Sequence, residues 1–358
     1  MTPPGTPARS AVAALVERDP RPDAARLLAD LVPPPHFARV SFDSYQPDPA
    51  QPSQPQAVAA LRGLADRVGD GTGGGVGGGL RRLFGGRRAE APARAGVYLD
   101  GGFGVGKTHL LASLWHAVDA RTARSCAFGT FVEYTNLVGA LGFRQAVEAL
   151  SGHRLVCIDE FELDDPGDTV LMSRLLRELA DAGTALAATS NTLPDALGEG
   201  RFDAEDFLRE IQAVADRFDV VRIDGEDYRH RGLPDPPPPL EDAEVAARAA
   251  AAPGAVLDDF PALLAHLATV HPSRYGALLD GVTAVHWTGV SPVADQNVAL
   301  RLVVLADRMY DRDLPLVASG TPMDQLFPGE LLRGGYRKKY YRAVSRLTAL
   351  AREGAAPA

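Results

Sequence analysis

Alternating apolar runs and helical stretches predict an α/β fold, with a mostly parallel sheet covered by helices on both faces. Three observations carry that prediction. Five short runs recur between residues 96 and 224: GVYLD, CAFGTF, RLVCID, TALAATSN and DVVRID. Helical periods lie between them, over 107–118, 131–150, 168–182 and 203–216. The first run then passes into GGFGVGKT, a glycine-rich turn that opens a helix.

The remaining chain is assigned around that core. Residues 1–35 are rich in Ala, Pro and Arg and predict a flexible N-terminal arm. Residues 36–232 form the core, beginning with an extended lead-in and a helix from about Gln54. Residues 69–95 hold so many glycines that they predict a low-complexity insertion. Four consecutive prolines, 236–239, forbid helix or central strand and set a linker over 233–253. Residues 254–352 predict a mostly helical second domain, with short strands near VTAVHW and LPLVAS. Residues 353–358 form a tail.

Composition narrows the classes. The chain has 358 residues and 46% hydrophobic content, which excludes wholesale disorder. A net charge of −9 argues against a wide nucleic-acid-gripping face. Two cysteines, Cys126 and Cys157, give neither a disulfide framework nor a zinc spacing. They fit a reducing, cytoplasmic compartment. Prolines occupy the N-terminus where a signal peptide needs an apolar core, and no apolar run is long enough to span a bilayer. Peripheral membrane contact is left open.

The chemistry begins at residues 101–108. Gly101, Gly106, Lys107 and Thr108 fit G-x-x-x-x-G-K-[ST], and Gly102, Phe103, Gly104 and Val105 complete the loop. Glycines let successive N–H groups curl around phosphate oxygens, and the helix N-terminus adds its positive end. Lys107 reaches the outer phosphates and Thr108 offers a hydroxyl to Mg²⁺. His109 follows on the same helix. The run RLVCID ends in Asp159, positioned to hold Mg²⁺, and Glu160 beside it suits a general base for water. TALAATS ends in Asn191, an amide that can orient that water or sense a γ-phosphate. The group these residues would hold is a nucleotide. Tyr45 and Gln54 in the lead-in offer an aromatic face and an amide to its base.

The order of these motifs resembles AAA+ ATPases, and more narrowly the ZapE or AFG-type family. The resemblance runs from about residue 96 to 350. It rests on GVYLDGGFGVGKTHLL, IDEFELDDPGDTVLMSRLLREL, GTALAATSN, FDVVRIDGEDYRHR, DQNVALRLVVLADRMYD and YYRAVSRLTAL. It implies a core sheet of strand order 5-1-4-3-2, a C-terminal helical lid and Mg²⁺-dependent ATP hydrolysis that remodels a protein partner. In bacteria it implies work at the division site on the Z-ring protein FtsZ, and in mitochondrial relatives the handling of inner-membrane proteins. It also implies a homo-oligomer. Arg301 falls on the second arginine of the family's N-D-x-A-R-R-F segment and is the candidate lid arginine; Leu300 replaces the first. Asp227, Tyr228 and Arg229 match the family's DYR. The arginines by which family members complete a neighbour's site are replaced here by Ala204 and Asp206. Arg201 and Arg209 are the local substitutes.

Two other readings stand beside this one. GKTHLL also occurs in ATPases of the helicase-loader type, and the basic run 333–346 would suit nucleic acid or anionic lipid. A low-turnover, nucleotide-dependent scaffold would explain the displaced arginines.

Overall fold

The computed structural model describes residues 12–70, 96–102, 104–122, 125–161, 166–193, 215–225 and 236–355. The chain divides into two compact units, residues 23–231 and residues 1–22 with 232–358.

The first unit is built on five parallel strands: β1 (Gly96–Gly101), β2 (Cys126–Thr130), β3 (Leu155–Asp159), β4 (Ala185–Ser190) and β5 (Phe218–Ile223). Their order across the sheet is β2-β3-β4-β1-β5, the 5-1-4-3-2 arrangement that the resemblance implied. The near-continuous apolar runs are explained by burial on both faces. Val97, Leu99, Cys157 and Ala187 pack on one side with α2 (Ser53–Gly69) and α3 (Lys107–Thr122). Tyr98, Val156, Ile158 and Leu186 face the other side, with α4 (Phe131–Leu141), α5 (Phe143–Ser151) and α6 (Pro166–Asp181). The helical stretch 131–150 is two helices, broken at Gly142 with φ of 82°. Thr130 and Glu133 close a capping box at the first of them.

Parallel register brings the strand ends to one edge. Asp100 pairs with Ser190 and Thr130 with Asp159, so the turns after β1, β3 and β4 emerge side by side. Ligand sites of parallel sheets form at this edge.

The N-terminal region is less free than its composition suggests. Residues 1–11 lie outside the described residues, but Leu15 is fully buried in the second unit. Ala13 bridges Val256, and the Val16 N–H donates to Asp258 Oδ1 at 3.0 Å. Helix α1 (Ala24–Ala29) belongs to the first unit, where Leu31 is buried and its carbonyl accepts the Phe128 N–H at 2.9 Å. A few apolar side chains among prolines were enough to dock this segment.

The second unit departs from a mostly helical domain. It holds a three-stranded parallel sheet, β6 (Ala255–Asp259), β7 (Ala284–Val290) and β8 (Leu316–Gly320), in the order β6-β7-β8. β6 was hidden because AVLDD is short and ends in two acids. One of them, Asp258, is nonetheless buried. Helix α7 (Asp242–Ala251) lies inside the stretch expected to be linker and buries Val245 and Ala249. The unit continues with α8 (Phe260–Thr269), α9 (Tyr275–Leu278), α10 (Gln296–Tyr310) and α11 (Arg337–Ala355). Trp287, Phe260, Tyr275 and Tyr340 fill its core. Among the described residues no helix is long and apolar enough to cross a membrane.

Part of the basic run 333–346 faces inward. Arg342 Nη2 meets Asp307 Oδ2 at 2.6 Å, and Arg346 Nη1 meets the other carboxylate oxygen. Burial pushes the Asp307 carboxyl up, but the two guanidinium charges outweigh it and hold the group below its ordinary value. A depressed carboxylate stabilises the fold above its unfolded pKa, and that contribution fades as pH falls through about 4. Asp307→Leu removes the carboxylate that both arginines meet and is expected to cost about 3–5 kcal/mol near pH 7. Denaturant unfolding across pH checks this, and a loss under about 1 kcal/mol would contradict the account.

Candidate functional site

The site starts where β1 ends. A Cβ on Gly101 would lie 2.4 Å from the Ile223 carbonyl oxygen, so only glycine lets β1 and β5 run this close. The loop turns through Gly104 and Gly106, with φ of 69° and 87°. At Gly106 a side chain would also strike the Tyr45 ring, 2.5 Å away. Phe103 lies outside the described residues. Lys107 opens α3 and folds back across the loop. Its Nζ donates to the carbonyls of Gly101 and Gly102, at 2.9 and 2.6 Å, and to Asn191 Oδ1 at 2.9 Å.

Thr108 points to the end of β3. Its hydroxyl donates toward the Asp159 carboxylate, 3.2 and 3.0 Å from the two oxygens. Thr189 of β4 donates to Asp159 Oδ1 at 2.5 Å from the opposite side. Asp159 is buried, which pushes its carboxyl above the ordinary value, and the charge of Glu160 adds to that. The Thr189 and Thr108 hydroxyls and the Lys107 ammonium pull the other way. A desolvated carboxylate beside a hydroxyl is a pair of hard oxygen donors, and it fits a magnesium ion, whose charge would offset what burial withholds. Glu160 follows with φ of 53°, left-handed for a residue with a side chain.

The sequence residues thus separate into groups. Gly101, Gly102, Gly104, Val105, Gly106, Lys107, Thr108, Asp159, Glu160 and Asn191 lie along one sheet edge. Tyr45 and Gln54 sit beside it, but as braces. The Tyr45 hydroxyl donates to the Val105 carbonyl at 2.8 Å, and burial pushes its pKa up to about 12. Its ring meets the His109 ring edge-on, with centroids 5.7 Å apart. His109 Nε2 in turn lies 3.0 Å from Ser44 Oγ. Both ends of the buried Gln54 amide are engaged, with the Asp48 N–H at 2.7 Å and the Asp224 carbonyl at 2.9 Å. The lead-in therefore holds the loop from behind.

Arg301 belongs to the second unit. Its Nη1 donates to the Leu267 and Val270 carbonyls at 2.9 and 3.0 Å, closing the C-terminal end of α8. Arg201, Arg209, Asp227, Tyr228 and Arg229 lie outside the described residues. Sequence reasoning missed two contributors. One is the buried Asp100, paired at 2.9 Å with Arg222 on β5. The other is Thr189, whose signal was one of two hydroxyls closing an otherwise apolar strand.

The family model described as AFG1-like ATPase matches residues 23–237 and 234–355. The cell division protein ZapE of Escherichia coli K12 is 31% identical over 146 residues, covering 38% of this chain and 39% of that protein. An uncharacterized protein of Schizosaccharomyces pombe is 29% identical over 148 residues, 37% of this chain and 33% of its own length. The matched stretch thus spans about two-fifths or less of these relatives. Among solved structures, domain III of the Thermotoga maritima replication initiation protein DnaA superposes with a TM-score of 0.37 at 18% identity, over 60% of this chain and 73% of that one.

Tyr45→Phe keeps the ring and removes the hydroxyl bond to Val105. It is expected to lower unfolding stability by about 1 kcal/mol. Gly106→Ala is expected to cost more, because strain and the Tyr45 contact add. Denaturant midpoints measure both, and a Tyr45→Phe chain as stable as the wild type would show that the brace is idle.

Proposed function

We infer the function from the premise that the chain belongs to the AFG1-like ATPase family: the edge built by Gly101–Thr108, Asp159, Glu160 and Asn191 binds ATP and hydrolyses it to ADP and phosphate. The observation that carries this reading is the convergence of Lys107 with Asn191 and of Thr108 with Asp159. A bare glycine-rich turn would not bring a second and third strand end to the lysine and threonine.

The division of labour follows from the chemistry of each group. Loop N–H groups and the α3 N-terminus attract the phosphates, and Lys107 exchanges carbonyl acceptors for phosphate oxygens. Thr108 and Asp159 would hold a magnesium ion, which when bound neutralises charge on the outer phosphates. Glu160 accepts the proton of the attacking water, and Asn191 fixes that water or the γ-phosphate in line. Arg201 or Arg209 of a neighbouring copy would supply the last positive charge. Arg301 would be the lid arginine that reports the γ-phosphate to the second unit.

Hydrolysis would then drive remodelling of a protein partner. The similarity to a protein named for cell division supports a partner in that machinery, with FtsZ the candidate. A nucleic-acid role is weakened by the inward turn of Arg342 and Arg346.

Glu160→Gln tests the mechanism. ATP affinity is expected to stay within about threefold, while turnover falls at least about 100-fold. Turnover at the wild-type rate would remove Glu160 from the role of base.

A further inference from the structure

β3 and β4 stay in register through Ile158 and Ala188, and there their ladder ends. Two residues later the backbone bends, and Glu160 takes its left-handed φ of 53°. Such a conformation persists only where its surroundings over-determine it. Thr189 supplies two of the contacts that hold it. The Glu160 N–H donates to Thr189 Oγ1 at 3.0 Å, and the next N–H, of Phe161, donates to the Thr189 carbonyl at 2.7 Å. Phe161 is fully buried, which pins the far side of the bend.

The hydroxyl of Thr189 has one proton, and that proton is given to Asp159 Oδ1. Its oxygen is thereby oriented to accept from Glu160. Thr189 itself is buried. The same strand carries the amide: Ser190 Oγ accepts the Thr192 N–H at 3.0 Å, and the Tyr98 hydroxyl donates to the Thr192 carbonyl at 2.7 Å, so the turn bearing Asn191 is fixed as well.

We propose that Thr189 is a positioning residue for hydrolysis: its single hydroxyl orients Asp159 and Glu160 together and ties both to the strand that presents Asn191. It acts through those two carboxylates rather than on the reactants. The proposal rests on the ATPase reading for its consequence, but its structural content is independent of turnover. Valine matches threonine in shape and cannot do either job. Serine can do both.

Full-length Thr189→Val and Thr189→Ser are compared with wild type by steady-state ATP hydrolysis and by amide hydrogen exchange at Glu160. For Thr189→Val, kcat is expected to fall at least about tenfold with KM within about threefold, and the Glu160 amide to exchange at least about tenfold faster. Thr189→Ser is expected to stay within about threefold of wild type in all three. Should Thr189→Val fail to fold, Thr189→Cys carries the same expectations, because a thiol is a weak hydrogen-bonding group. Turnover by the valine variant within threefold of wild type would overturn the proposal, as would unchanged protection of the Glu160 amide. If wild type itself shows no turnover, the ATPase reading fails, and amide exchange alone then decides for or against the Thr189 contact.

Discussion

The carboxylate of Asp159 is the constraint around which the first unit is arranged. Buried at the end of β3, it is an expensive charge, and burial alone pushes it toward protonation. It is answered by Thr108 from the loop helix and Thr189 from the neighbouring strand, with Lys107 close enough to add its charge. The two hydroxyls come from different elements, α3 and β4. The glycine turn, the register of β3 on β4 and the start of α3 must therefore all be correct at once. Lys107 closes the circuit by reaching Asn191, two residues beyond Thr189. A shift of one residue in any strand would turn these side chains to the opposite face.

Support for the circuit comes from outside the sheet. The lead-in before α2 places Tyr45 on the loop and Gln54 between Asp48 and Asp224. The loop is thus braced by a segment some 60 residues earlier in the chain. The second unit meets the same problem of a buried acid with a different solution. Asp307 is answered by full charges, Arg342 and Arg346, rather than by hydroxyls. Hydroxyls leave a carboxylate its appetite for a cation. Two guanidinium groups satisfy it. That contrast separates a carboxylate suited to bind from one that fastens two helices.

The sequence made the core legible because its signals are local. An all-apolar run means a strand covered on both faces, and G-x-x-x-x-G-K-T states its own backbone geometry. The five strands and the residues from Gly101 to Asn191 were read from those signals, and their order from a family resemblance. What escaped depends on long-range pairing. β6 carries two acids in five residues, and only its docking against β7 makes it a strand. Tyr45 and Gln54 looked like groups for a ligand, because nothing local reveals that their polar ends are engaged by Val105, Asp48 and Asp224. Thr189 looked like one more strand residue until β3 supplied Asp159 and Glu160 beside it. Arg301 matched a motif, and no local signal shows that its Nη1 also donates to the Leu267 and Val270 carbonyls.

The account stands on one claim, that the Lys107 end of the circuit serves ATP. The most direct measurement is steady-state ATP hydrolysis in magnesium by the full chain against Lys107→Ala. The account predicts turnover by the wild type and a fall to background in the variant, since an alanine can neither reach the phosphates nor hold Asn191. Equal rates in the two proteins would contradict it.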